Sequence, residues 1–290
     1  MDVEIIPIRR DSDMPYVTRD ELIAEFQDTE NYYNTEPVLI EAVESTNART
    51  KVYAVDFAEE VDEKKAGRVR VEAGRTFEKA IALHKEFPGK RIAVLNFAAS
   101  GTPGGGVLHG SYAQEESLCR CSTLYPSLLT GEAARGFYDY HRDYCGWSAS
   151  DTCIYSPDVV IVRDDSDLLC DRLRPEEFVK ADVVTCAAPH FHANTILNAE
   201  GLFKLHIKRA KNILRAAAHN GADIFVGGAF GCGAFHNDPG VVAWAWREAL
   251  KEYEQKFDLI DFVIYISDYP EKKITGEINF YAFRNEFAGE

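Results

Sequence analysis

The sequence predicts an α/β fold in a single domain, and three observations carry that expectation. Short apolar runs alternate with longer segments whose apolar residues recur every three or four positions, the pattern of strands joined by helical crossovers. At 290 residues the chain is long enough to bury most of its apolar surface in one core. Its 46% apolar and 27% charged residues are ordinary for a globular protein, which excludes a disordered or fibrous chain.

The elements follow in order. Thr18-Arg-Asp-Glu21 is a capping box that predicts a helix through about Tyr33, and a second short helix is expected over 38–43. Residues 1–50 thus form a polar, helical accessory segment to an α/β core over 51–290. Strands are predicted over 51–57, 69–72, 91–97, 159–163, 183–187, 223–227 and 262–267. Helices are predicted over 76–86, 114–129, 131–144, 202–220 and 239–256.

The net charge of −15 argues against a broad or sequence-specific nucleic-acid face, because neutralising phosphates needs clustered Lys and Arg. No apolar run approaches the ~18 residues that span a bilayer, and Met1-Asp-Val-Glu-Ile-Ile-Pro7 lacks a basic-then-apolar leader. With seven scattered cysteines, these features point to an intracellular, cytosolic or nuclear protein with reduced thiols. No metal is expected: Cys119-Arg-Cys121 on a helix points its thiols apart, and His190, His192, His206 and His236 lack a carboxylate partner. The basic run Lys204, Lys208, Arg209, Lys211 and Arg215 reads as a solvated helix face, with a polymer track as the other reading.

Two glycine loops carry the functional signal. Pro103-Gly104-Gly105-Gly106-Val107 follows one strand and leads into the helix at Gln114. Gly227-Gly-Ala-Phe-Gly231-Cys232-Gly233-Ala234-Phe235-His-Asn-Asp238-Pro follows another and precedes a helix capped by Asp238. Loops of this kind at strand carboxyl ends, pointing to helix N-termini, suit a nucleotide diphosphate. Neither is a Walker motif or a Gly-x-Gly-x-x-Gly fingerprint, which disfavours an NTPase or a dehydrogenase. Phe230 is expected to turn inward and Phe235 to stack near a ligand.

Gln114-Glu115-Glu116 begins the helix after the first loop. Glycosidic cleavage needs a carboxylic acid to protonate the departing oxygen and a carboxylate to activate water. Adjacent helical residues point about 100° apart, so the two glutamates should divide that labour.

These residues resemble the microbial-type poly(ADP-ribose) glycohydrolases, a branch of the macrodomain fold, whose signature is a triple glycine followed by Gln-Glu-Glu. The resemblance extends through Leu118-Cys-Arg-Cys-Ser-Thr-Leu-Tyr125, Ile154-Tyr-Ser-Pro-Asp-Val159 with Arg163-Asp-Asp165, and Gly231 to Pro239, covering about 68–267. It implies a mixed β-sheet sandwiched between helices, with Glu116 as acid/base and Glu115 holding hydroxyls of the scissile ribose. It further implies that Asn96, Gly104, Gly105, Gly106, Val107 and Gln114 meet the distal ribose and diphosphate. Gly231, Cys232, Gly233, Ala234 and Phe235 would enclose the diphosphate. After Asn96-Phe-Ala the chain departs from many relatives, with Ala99 and Ser100 where an asparagine is common.

The activity implied is hydrolysis of the ribose–ribose bond of poly(ADP-ribose), on ADP-ribosylated proteins, in the response to DNA damage and without a cofactor. Hydrolysis of another ADP-ribosyl linkage, or binding of ADP-ribose without chemistry, are the competing expectations.

Overall fold

The computed structural model describes residues 17–55, 57, 64–191 and 197–288. Among these residues seven strands form one mixed sheet: β1 (Lys51–Tyr53), β2 (Arg68–Ala73), β3 (Ile92–Phe97), β4 (Cys153–Ile161), β5 (Val179–Cys186), β6 (Ile224–Gly227) and β7 (Leu259–Ile264). Their order is β1-β4-β5-β3-β6-β7-β2. The strands β5, β3, β6, β7 and β2 run parallel, whereas β4 is antiparallel to both of its neighbours.

The helices are α1 (Arg19–Thr35), α2 (Pro37–Arg49), α3 (Thr76–Glu86), α4 (Gln114–Cys121), α5 (Leu124–Leu128), α6 (Gly131–Ala133), α7 (Tyr140–Tyr144), α8 (Ala199–His219), α9 (Pro239–Tyr253) and α10 (Pro270–Glu286). A π-turn, Ala134–Asp139, joins α6 to α7.

Parallel strands covered on both faces read as continuous apolar runs, and each face takes alternate residues. In β3, Ala93 and Leu95 meet Ile213, Phe225 and Trp246 on the α8–α9–α10 side. Ile92 and Val94 meet Phe77, Leu83 and Leu118 on the α3–α4 side. The sheet therefore lies between two helical layers, as expected. Tyr33 and Leu39 of α1 and α2 sit on Val160 and Val162 of β4 and its extension.

Among the elements that depart from expectation, four have a clear physical cause or consequence. The helix expected over 114–129 is two, because Pro126 cannot continue one and because Cys121–Thr123 bonds to β4 instead. The Thr123 N–H donates to the Val160 carbonyl at 3.0 Å, and the Cys121 carbonyl accepts from Val162 at 2.9 Å. The strand β4 begins six residues early, running through Pro157 by a bulge at Ser156/Val159 with Asp158 at φ +53°. The strand expected over 262–267 is shifted to 259–264. The helix α10 was not foreseen: its few apolar residues include Phe283, and Phe283 and the following Phe287 seal Phe262.

Candidate active site

Loop 1, residues 98–113, follows β3, and loop 2, residues 228–238, follows β6. These strands are neighbours, yet the chain leaves β3 toward β4 and β6 toward β7, so a crevice opens between the loops at the carboxyl edge of the sheet. Gly104 and Gly105 adopt φ of +67° and +58°, a region that favours glycine. A Cβ on Gly104 would come within 2.7 Å of the Tyr125 ring. A Cβ on Gly105 would overlap Oε1 of Glu116 and lie 3.0 Å from Oε2 of Glu115. Both glutamates thus converge on one point of the loop backbone, more closely than their 100° separation on the helix suggested.

Their partners differ. Glu116 accepts from the Gly106 N–H through Oε1 at 2.8 Å, and its Oε2 is buried without a protein partner. Glu115 accepts from the Ala99 N–H at 2.7 Å and from the Asn96 amide at 3.4 Å. Because a backbone group makes the first of these contacts, the departure at Ala99 leaves it intact. Burial pushes the Glu115 carboxyl up to about 8, and the Glu116 charge adds to the rise, while the Ala99 N–H opposes it. Near neutral pH Glu115 therefore keeps its proton. Asn96 is fully buried, donates to Thr185 at 3.1 Å, and leaves its Oδ1 without a protein partner.

The other expected residues serve in several ways. Gln114 spends its amide on the protein: Oε1 accepts from the Phe97 N–H at 2.8 Å, and Nε2 donates to the Leu95 carbonyl at 2.7 Å and to Thr76 at 3.1 Å. It therefore seats α4 on the end of β3. Val107 and Cys232 turn their side chains into the two cores, so their backbone is what remains for a ligand. Gly231 is at φ +79°, and a Cβ there would strike Ala188 and Asn237, whereas one on Gly233 would meet nothing within 4 Å. Ala234 is exposed beside it. Phe230 is buried, and Phe235 stacks on His190 with centroids 4.4 Å apart.

Comparisons with known proteins point to one family. The family model described as the microbial-type PARG catalytic domain matches residues 23–164. The poly(ADP-ribose) glycohydrolase of Thermomonospora curvata is 29% identical over 92% of this chain and 100% of that one, with a TM-score of 0.77. The same enzyme bound to the inhibitor ADP-HPD gives 28% identity over 92% and 100%, with a TM-score of 0.76. The Deinococcus radiodurans glycohydrolase in complex with ADP-ribose is 30% identical over 85% of this chain and 97% of that one, with a TM-score of 0.67. The chain belongs to the microbial-type poly(ADP-ribose) glycohydrolases. No curated protein sequence matches it significantly.

In this glycohydrolase several residues that the sequence did not single out hold the loops. Arg120, on α4, is buried; its Nη1 donates to the Ser111 carbonyl at 2.8 Å and its Nε lies 3.3 Å from Glu25 of α1. Thr29 donates to the Arg120 carbonyl at 2.6 Å, and Gly110 abuts the Arg19 backbone. The accessory helix is therefore a buttress of loop 1. In loop 2, Asn237 donates to the carbonyls of Pro189, Gly231 and Phe235 at 2.8, 2.9 and 3.2 Å. That leaves its Oδ1 to accept from Nε2 of buried His206 at 2.9 Å. Burial lowers the His206 pKa to about 3, so it stays neutral. The only sequence signal for Asn237 was its place in the loop motif, and for His206 there was none.

The basic run on α8 differs from its expected place. Arg209 does not lie on the solvated face of α8: its guanidinium is buried and bonds the Ser148 and Ser150 carbonyls. Lys204 pairs with Glu200 and Lys211 with Glu252, which disfavours a polymer track there. His192 lies outside the described residues. Among the described residues no group of three His, Cys, Asp or Glu side chains is arranged to hold a metal, and no helix is long and apolar enough to cross a membrane.

Proposed function

We propose that this glycohydrolase cleaves the bond between the anomeric carbon of a terminal ADP-ribose and the ribose oxygen of the next unit of poly(ADP-ribose), with Glu116 as acid and then base. The observation that carries this reading is the unequal glutamate pair: one carboxyl pinned at both oxygens, the other with one oxygen fixed and one buried and unpartnered. In the first step Oε2 of Glu116 delivers the proton to the departing ribose oxygen as its bond to the anomeric carbon breaks. The oxocarbenium-like sugar forms beside the two carboxyls. Glu116, now a carboxylate, takes a proton from water as that water bonds to the anomeric carbon, releasing ADP-ribose and restoring the acid. Glu115 and Asn96 hold the hydroxyls of the cleaved ribose. The two loops hold the diphosphate through backbone N–H groups, which an acidic protein can supply without a basic patch.

The base has a place on the same edge of the sheet. A cavity of about 220 Å³ at the ends of β2 and β7 is lined by Gly74, Arg75, Tyr265, Ile266 and Tyr269. From β3 to β2 is three strand spacings, roughly 14 Å, which suits an extended nucleotide diphosphate sugar. We assign the adenine to it, against the Tyr265 ring on which Arg75 now stacks. The buttressing by α1 supports one working domain, the resemblance supports polymer on modified proteins as the substrate in DNA damage, and the seven free thiols support an intracellular setting.

Purified protein and a Glu116→Gln variant, incubated with poly(ADP-ribose) without added metal, test the reading. Release of ADP-ribose by the native protein alone, with calorimetric binding of ADP-ribose by both, is expected. Equal release by the variant, or none by the native protein, would overturn it.

A further inference from the structure

With the adenine at the β7/β2 end and the scissile bond over β3, the rest of the polymer leaves over β5 and β4, about 5 and 10 Å farther along the edge. That end carries aromatic rings in solvent. Tyr144 of α7 is 77% exposed, and Trp147, in the turn after it, is 37% exposed. The Tyr144 ring lies 5.6 Å from that of Tyr140, and Trp147 lies 5.6 Å from Phe191, which follows β5.

These rings are tied to both catalytic loops. Arg142 of α7 donates to the Gly101 carbonyl of loop 1 at 3.0 Å. The Phe191 N–H donates to the Phe235 carbonyl of loop 2 at 3.2 Å, and the His190 N–H to the Trp147 carbonyl at 2.8 Å. The buried Arg209 holds the Ser148 and Ser150 carbonyls beneath. Rings fixed by backbone bonds and left wet on one face are platforms for bases, since every base offers a π-face.

We infer that Tyr144, Trp147 and Phe191 form a subsite for the adenine of the unit that leaves, on a segment that Arg142, itself paired with Asp139, ties to loop 1. The inference rests on the glycohydrolase reading above and adds a leaving-group site to it. A substrate with a small leaving group makes no use of this site, whereas the polymer presents a base there at every cut.

The test separates the two readings. In the Glu116→Gln background, which prevents turnover, ADP-ribose and a defined trimer of poly(ADP-ribose) are titrated into the parent and into Trp147→Ala, Trp147→Phe and Tyr144→Ala versions. The trimer should bind the parent about tenfold more tightly than ADP-ribose, as one stacked base allows. Either alanine should remove most of that preference while leaving ADP-ribose affinity unchanged, and Trp147→Phe should retain it. Tyr144 is exposed enough that its replacement does not threaten folding. Equal affinity for trimer and ADP-ribose, or equal losses on both, overturns the subsite. Trimer cleavage by the native chain is measured alongside: cleavage with no preference sinks the subsite alone, and no cleavage sinks the glycohydrolase reading together with it.

Discussion

Replacing Glu115 by glutamine removes one titration and keeps the shape of the site. In the folded chain burial raises this carboxyl from an ordinary 4.5 to about 8, so the folded state holds its proton across a window in which the unfolded chain has lost it. Between those values the folded state binds more protons than the unfolded state, and stability falls as pH rises. At about 1.36 kcal/mol for each pH unit, the full displacement comes to about 5 kcal/mol, a large part of the ~5–15 kcal/mol that holds a typical domain folded. Asp165, raised to about 6, and Glu25, also raised, tilt the profile in the same direction, but they are present in both proteins and cancel in the difference. Urea unfolding followed by tryptophan fluorescence at several pH values from 5 to 8.5 measures that difference. Glu115→Gln should gain on the native protein steadily with pH, by several kcal/mol at pH 8.5. Parallel profiles would refute the buried proton on Glu115.

Three further outcomes follow from the site. Gly105→Ala puts a methyl group onto Oε1 of Glu116 in a backbone region that costs alanine about 1 kcal/mol, so kcat should fall about a hundredfold or more with a smaller change in thermal stability, read by ADP-ribose release and calorimetry. Arg120→Met leaves Glu25 buried without this guanidinium and frees the Ser111 carbonyl; a loss of about 3–5 kcal/mol in urea unfolding is expected, and Arg120→Met with Glu25→Leu should recover part of it. Asn237→Ala removes the side-chain bonds to the Pro189, Gly231 and Phe235 carbonyls and to His206, so ADP-ribose affinity should drop while α9, capped by Asp238, stays folded; calorimetry and circular dichroism check the two halves.

The readable part of the protein was local. The Val- and Ile-rich runs marked the central strands because both faces of a parallel sheet are covered, and the capping box at Thr18, Pro239 after Asp238 and the three-residue glycine run sit where short-range chemistry puts them. Where a partner strand competes for backbone groups, that reading failed. The break at Cys121–Thr123 depends on β4, and the bulge at Ser156/Val159 depends on β5. The helix α10 has a weak apolar rhythm of its own and exists because Phe262 needs a cover.

For the site the division is similar. Residue order alone brought out Gly104-Gly105-Gly106 with Gln114-Glu115-Glu116, and the second loop through Phe235, because a glycine run before a helix N-terminus is set by neighbours in the chain. Strand order decided that the two loops face one crevice. The convergence of Glu115 and Glu116 on Gly105, the proton Glu115 keeps, and the anchoring of Arg120 by Glu25 and of Asn237 by Pro189 and His206 depend on how the chain folds back on itself. A carboxyl's acidity is fixed by how much water reaches it and which charges stand beside it, and only the folded chain determines either.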